Sequence, residues 1–139
     1  MNREIKFRGK KMTDDGWVVG DLMMYDDGDV CIGVHQDSWV DDGFHKNDYL
    51  DVHYVDEDTV GQYTGLKDKN GVEIYEGDIM NDPTSKFFGL VEWNNILTQF
   101  QLSWQNMPTA ADIFFMVKCG SFVIGNIHDN PEMRKGGAE

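Results

Sequence analysis

Four serines, four histidines, two cysteines and 25 acidic side chains are the groups in this 139-residue chain that could attack, move a proton or hold a metal ion. A hydrolase needs an activated nucleophile with a base and an orienter beside it. His35, Asp37 and Ser38 can be drawn as such a set, but in so Asp-rich a stretch these neighbours arise from composition alone. Ser85, Ser103 and Ser121 sit in no nucleophile-elbow context, and no Gly-rich loop ends in Lys-Ser or Lys-Thr. Glu76 and Asp78 flank Gly77 as an acid–base pair would, yet carboxylates so placed around a glycine more often cap turn N–H groups. Asp26-Asp27-Gly28-Asp29 and Asp41-Asp42-Gly43 lack the alternating oxygens and distant Glu of a calcium loop. His35, His45 and His53 match no zinc spacing. Cys31 and Cys119 are too few for a disulfide framework and read as two buried thiols of a reducing compartment. These residues lead us to expect no enzyme, no catalytic residue, no cofactor and no metal.

Binding is the remaining chemistry, and charge limits it. The net charge is −13, and residues 13–60 hold fourteen acids against Lys46 alone. Such a field repels phosphate backbones at long range, so direct nucleic-acid binding is a poor first expectation. The first twelve residues are the exception, with five bases and one acid; Lys6, Arg8, Lys10 and Lys11 are the candidate phosphate contacts. Ile5 and Phe7 alternate with Glu4, Lys6 and Arg8, the pattern of a half-buried strand with a charged outer face. The acidic half could also imitate DNA phosphates towards a DNA-binding protein. Trp17, Trp39, Tyr49 and Tyr54 lie among those acids and are candidates for a subunit or partner interface, where aromatic residues are enriched. Trp93, Phe100, Trp104, Phe114, Phe115 and Phe122 are expected mostly in the core.

Strands must position these groups. Short alternating or apolar runs recur between Gly, Asp and Asn: residues 5–8, 17–25, 30–34, 49–55, 60–63, 72–75, 79–80, 89–93, 100–104, 113–117 and 122–127. Turn signals at that interval mark an all-β sandwich or barrel. Residues 109–111, after Pro108, could start a short helix, and Asn130-Pro131-Glu132-Met133 a single turn. With 40% hydrophobic and 27% charged residues the chain is globular, and no apolar run approaches a membrane helix or a signal peptide. The expected architecture is mainly β: an acidic N-terminal β subdomain, 1–59, packed on a C-terminal small SH3-like barrel, 60–133, with at most short helices and a frayed tail, 134–139. A cytoplasmic location follows from the same features.

Residues 60–79 carry the most information. Asn70-Gly71 signals a hairpin, read as a type I′ turn with positive φ at both residues. Glu76-Gly77-Asp78 adds a second sharp turn. The run Tyr63-Thr64-Gly65-Leu66-Lys67-Asp68-Lys69-Asn70-Gly71, then Glu73-Ile74-Tyr75-Glu76-Gly77-Asp78-Ile79, closely resembles the hallmark of YopX-like proteins of bacteriophages and prophages. Residues 3–10, 17–22, 59–63 and 123–127, with Asn130-Pro131-Glu132, extend the likeness; His128 stands where the family has an aromatic residue. The resemblance implies a phage or prophage origin, a mostly β fold with an SH3-like barrel in the C-terminal half, and self-association. It implies no catalytic residue; Gly65, Asn70, Gly71, Glu76, Gly77 and Asp78 are structural in this reading. The expected function is a non-enzymatic accessory protein that forms a homo-oligomer and binds a host or phage protein. The rival is a nucleic-acid-linked role, by mimicry or through the basic start.

Overall fold

The computed structural model describes residues 3–39 and 46–133, and for 37–39 and 46–48 the backbone alone. The tail 134–139 and His45 lie outside the described residues. The fold is mainly β, in antiparallel sheets, with one short α-helix and two 3-10 turns among the described residues. Two compact units divide the chain, Ile5–Gln62 and Tyr63–Glu139 with Met1–Glu4.

In the N-terminal unit, β1 (Phe7–Lys10), β2 (Trp17–Met24), β3 (Val30–Trp39) and β4 (Lys46–Tyr54) form consecutive antiparallel pairs. The first residues of β5 (Gly61–Lys67) pair with the other edge of β1. Alternation places Val18, Val30, Ile32 and Val55 on one inner face, with Phe7, Leu22, Val34 and Val60 packed against them. The sheet curls onto itself: Lys11 bridges Val55, and the Met12 N–H donates to the Tyr54 carbonyl at 3.0 Å. Gly20 is required by close approach, because a Cβ there would lie 2.1 Å from the Gly33 carbonyl oxygen. Asp-Gly turn chemistry is present between β2 and β3, where the Asp29 N–H donates to the Asp27 carboxylate at 2.9 Å and Gly28 takes φ 95°.

The C-terminal unit continues β5 into β6 (Glu73–Tyr75), then β7 (Asp78–Asn81), β8 (Phe88–Asn94), β9 (Gln99–Trp104), β10 (Ala110–Ala111), α1 (Ile113–Lys118) and β11 (Val123–Asn126). Five strands pair in the order β10-β9-β8-β7-β11. Ile74, Met80, Val91, Leu102, Trp104, Ile113 and Met116 form the core.

Four expectations need correction. Residues 113–117 are helical, not extended: the Asp112 carboxylate caps the Phe115 N–H at 3.0 Å, and Gly120 at φ 105° closes a Schellman end with Ser121 N–H donating to Met116. Helical spacing turns Ile113 and Met116 inward, so Phe114 and Phe115 are exposed, and Trp93 also stands outside the core. Residues 110–111 are a strand, not a helix start, because they pair with Ser103 and Leu102. Cys119, the last residue of the helix cap, is exposed; only Cys31 is buried. The final turn, Pro131–Met133, forms as expected, with the Met133 N–H donating to the Asn130 carbonyl at 2.9 Å.

Candidate interaction surface

The hallmark segment builds a hairpin. Asp68, almost fully buried, accepts three backbone N–H groups: Asn70 at 2.8 Å, Val72 at 3.0 Å and, from β11, Val123 at 2.9 Å. Only Gly71 takes a positive φ, 81°, so the turn is not type I′. Asp68 N–H donates to Val72 and Gly71 N–H to Asp68, as in a type I turn followed by a left-handed glycine. Gly65 at φ 91° sits where the β5–β6 register shifts, while the Thr64 hydroxyl donates to the Ile74 carbonyl at 2.8 Å. The Tyr63 and Tyr75 rings pack in a tilted pair, 5.4 Å between centres and 41° between planes. Gly77, at φ 95°, turns the chain so that the buried Asp78 carboxylate accepts the Tyr75 N–H at 2.7 Å. The motif is thus made of turn glycines, buried rings and carboxylates spent on backbone donors. Sequence reasoning missed Asp68 as its centre, although Asp-Lys-Asn-Gly is an Asx-turn signal.

The serines are likewise held in place. Ser103 is buried and donates to Glu92, in a row that runs from Asn94 through Gln101 to Ser103. The Ser121 hydroxyl donates to the Asn81 carbonyl at 2.6 Å, and Ser85 donates to Asp82 at 2.9 Å. His35 Nε2 lies 3.0 Å from Asp21; the side chains of Asp37 and Ser38 lie outside those described. Among the described residues no three His, Cys, Asp or Glu side chains gather in a way that could hold a metal ion. A groove of about 440 Å³ in the C-terminal unit is lined by Asn94, Gln99, Gln101 and Asp112. Cys31, buried beside acidic Asp29 and Asp27, has its thiol pushed up from the ordinary range, first by burial and then by those charges.

The binding candidates all fall in the N-terminal unit, and strand register sorts them. Lys10 pairs with Trp17 and Arg8 with Val19, Asp21 with Gly33, and Cys31 with Tyr54. These residues lie on the side of the sheet opposite Val18, Val30 and Ile32; that side is covered at Cys31 and Gly33, both buried, and over the Nε and Nη2 atoms of Arg8, and is open elsewhere. The Arg8 guanidinium lies 4.7 Å from the centre of the Trp17 ring and the Lys10 ammonium 5.6 Å, a cation–π corner. Lys11 instead pairs with Asp14 at 3.7 Å, and Lys6 is half-buried. Across the sheet the same face carries exposed apolar residues, Val19 at 40%, Leu50 39%, Val52 40% and Tyr54 57%, with the exposed His35–Asp21 pair among them. Tyr49 is as exposed but, by parity, belongs to the inner side of β4; the side chain of Trp39 lies outside those described. Trp17 and Tyr54 therefore share one surface and Tyr49 does not. Val19, Leu50 and Val52 were missed, since each looks like an ordinary strand core residue until the register assigns its face.

Among the described residues no helix is long and apolar enough to cross a membrane. No curated protein matches the chain. Among solved structures three chains match. One is the crystal structure of protein EF1440 from Enterococcus faecalis, 24% identical, with a TM-score of 0.60 over 95% of this chain and 99% of that one. At that identity the likeness shows the fold. The family model described as YopX protein matches residues 6–134, and the hallmark hairpin lies within that span; the chain belongs to the YopX protein family.

Proposed function

We propose that this chain is a non-enzymatic accessory protein of a phage or prophage, acting in the bacterial cytoplasm, which associates with itself and binds a host or phage protein. The observation that carries the reading is the outer face of the N-terminal sheet: exposed Val19, Leu50, Val52 and Tyr54 on one side, Arg8 and Lys10 over Trp17 on the other. Exposed apolar patches rimmed by charge mark interaction sites in soluble proteins. A two-fold axis would set this exposed patch against its own copy. The native mass of the wild type beside that of Val19→Asp/Tyr54→Asp tests it: an oligomer reduced to a monomer supports the reading, and a wild-type monomer contradicts it.

The second reading is mimicry of DNA by the acidic half. It is supported by a groove of about 250 Å³ where Asp29, Asp56 and Glu57 gather at one end of the N-terminal unit. A mimic binds no DNA yet competes for a DNA-binding protein, whereas direct phosphate contact gives binding that falls steeply with salt. Direct contact is the weaker branch, because Arg8 and Lys10 are engaged with Trp17 and Lys11 with Asp14.

A further inference from the structure

Strand β4 ends the N-terminal sheet, and among the described residues no strand pairs along its far edge between Tyr49 and His53. The bonding pattern says which groups are left there. Val55 N–H donates to Val30 at 3.1 Å, so residues 55, 53, 51 and 49 are the ones that bond to β3. The N–H and C=O of the alternate residues, Leu50, Val52 and Tyr54, point outward; the Tyr54 carbonyl does take Met12 from that side, which fixes the parity. An edge with unpaired donors and acceptors is a template for another extended chain unless something blunts it. We propose that the Leu50–Val52 edge of β4 receives an extended segment of a partner protein, one that alternates apolar and basic residues.

Side chains on β4 supply that pattern. On the outer face an added strand would lay its residues beside exposed Leu50 and Val52, which favours apolar ones. On the other face it would meet Asp51, whose carboxylate lies 3.1 Å from His53 Nε2, and the field of fourteen acids in residues 13–60 favours Lys or Arg there. A second copy of β4 fits less well. Centred on Asp51 it sets that carboxylate against its own copy, and centred on Leu50 it sets it against Tyr49, with no base opposite. Centred on Val52 it brings His53 to Asp51, but its ends run into residues 11 and 12, which hold the edge beyond Tyr54. The open run Tyr49–His53 spans about 17 Å, enough for five residues of a partner.

The inference rests on the protein-binding reading above but uses the edge of the sheet, not its outer face. The test is amide hydrogen exchange of the full chain with a capped seven-residue peptide of alternating Val and Lys. Saturating peptide should slow exchange at Leu50 and Val52 by about tenfold or more. The same peptide N-methylated at its central residues should lose the effect, as should Val52→Pro, whose missing N–H is not one that bonds β3. Unchanged exchange, or equal protection by the N-methylated peptide, overturns the proposal. Concentration-dependent protection without peptide that persists in Val19→Asp/Tyr54→Asp also overturns it, by assigning the edge to a second copy. A monomer that binds the peptide would count against self-association alone, and an oligomer that does not bind it would count against the edge proposal alone.

Discussion

Replacing Asp68 by Ala tests whether the family hallmark is a folding device. The carboxylate holds the N–H groups of Asn70 at 2.8 Å, Val72 at 3.0 Å and Val123 at 2.9 Å, and is itself almost fully buried. Asn70 and Val72 lie at an exposed turn, where water can take the acceptor's place, so each loss costs about 1 kcal/mol. Val123 is half-buried in β11 and its orphaned donor costs about 2 kcal/mol, for a total of ~4 kcal/mol. With an m-value of about 2 kcal/mol/M, the urea midpoint of the C-terminal unit falls by about 2 M. Asp68→Asn keeps one carbonyl oxygen for the turn but turns an NH₂ towards Val123, and loses about half as much. Urea unfolding followed by far-UV circular dichroism measures both, and amide exchange at Asn70, Val72 and Val123 localises the effect. A midpoint for Asp68→Ala within about 0.25 M of wild type, a stability change of about 0.5 kcal/mol, would refute the reasoning.

Three further outcomes follow from the same geometry. Gly20→Ala must displace the Gly33 carbonyl, 2.1 Å from the new Cβ, so the N-terminal unit should lose about 3 kcal/mol or fail to fold, as read by urea unfolding; an unchanged midpoint would contradict the close approach. A disulfide reagent under native conditions should modify one thiol quickly, exposed Cys119, and reach Cys31 only on unfolding; two fast thiols would contradict its burial. The Thr84 N–H, then the Thr84 and Ser85 hydroxyls, hold the Asp82 carboxyl below the ordinary aspartate range. A carboxyl lowered in the folded state stabilises it above the unfolded value and ceases to do so as pH falls through the folded one. Asp82→Asn should therefore flatten the loss of stability below about pH 4, in urea midpoints compared at pH 3 and pH 7; an identical acid limb would contradict it.

The strands were legible because alternation of Val, Ile and aromatic residues with Gly and Asp has one structural reading, and most runs fall where the pattern puts them. The helix was not, since Ile113-Phe114-Phe115-Met116-Val117 is apolar throughout and has no visible period; its Asp112 cap and Gly120 stop decide the matter. The hairpin at Asn70-Gly71 was legible but its turn type was not, because the acceptor that selects it is the Asp68 side chain, which also reaches Val123, 55 residues away. The interaction surface was half legible. Aromatic residues among acids pointed to the N-terminal unit, but which of them share a face depends on register carried across four strands, and that register separates Tyr49 from Trp17 and Tyr54.

Self-association through the outer face of the N-terminal sheet is most directly tested by the native mass from size-exclusion chromatography with light scattering. Wild type should elute at a multiple of 15.9 kDa, and Val19→Asp/Tyr54→Asp at the monomer mass with an unchanged circular dichroism spectrum. Wild-type protein that stays monomeric at every concentration tested, or a double variant that keeps the wild-type mass, would contradict the account.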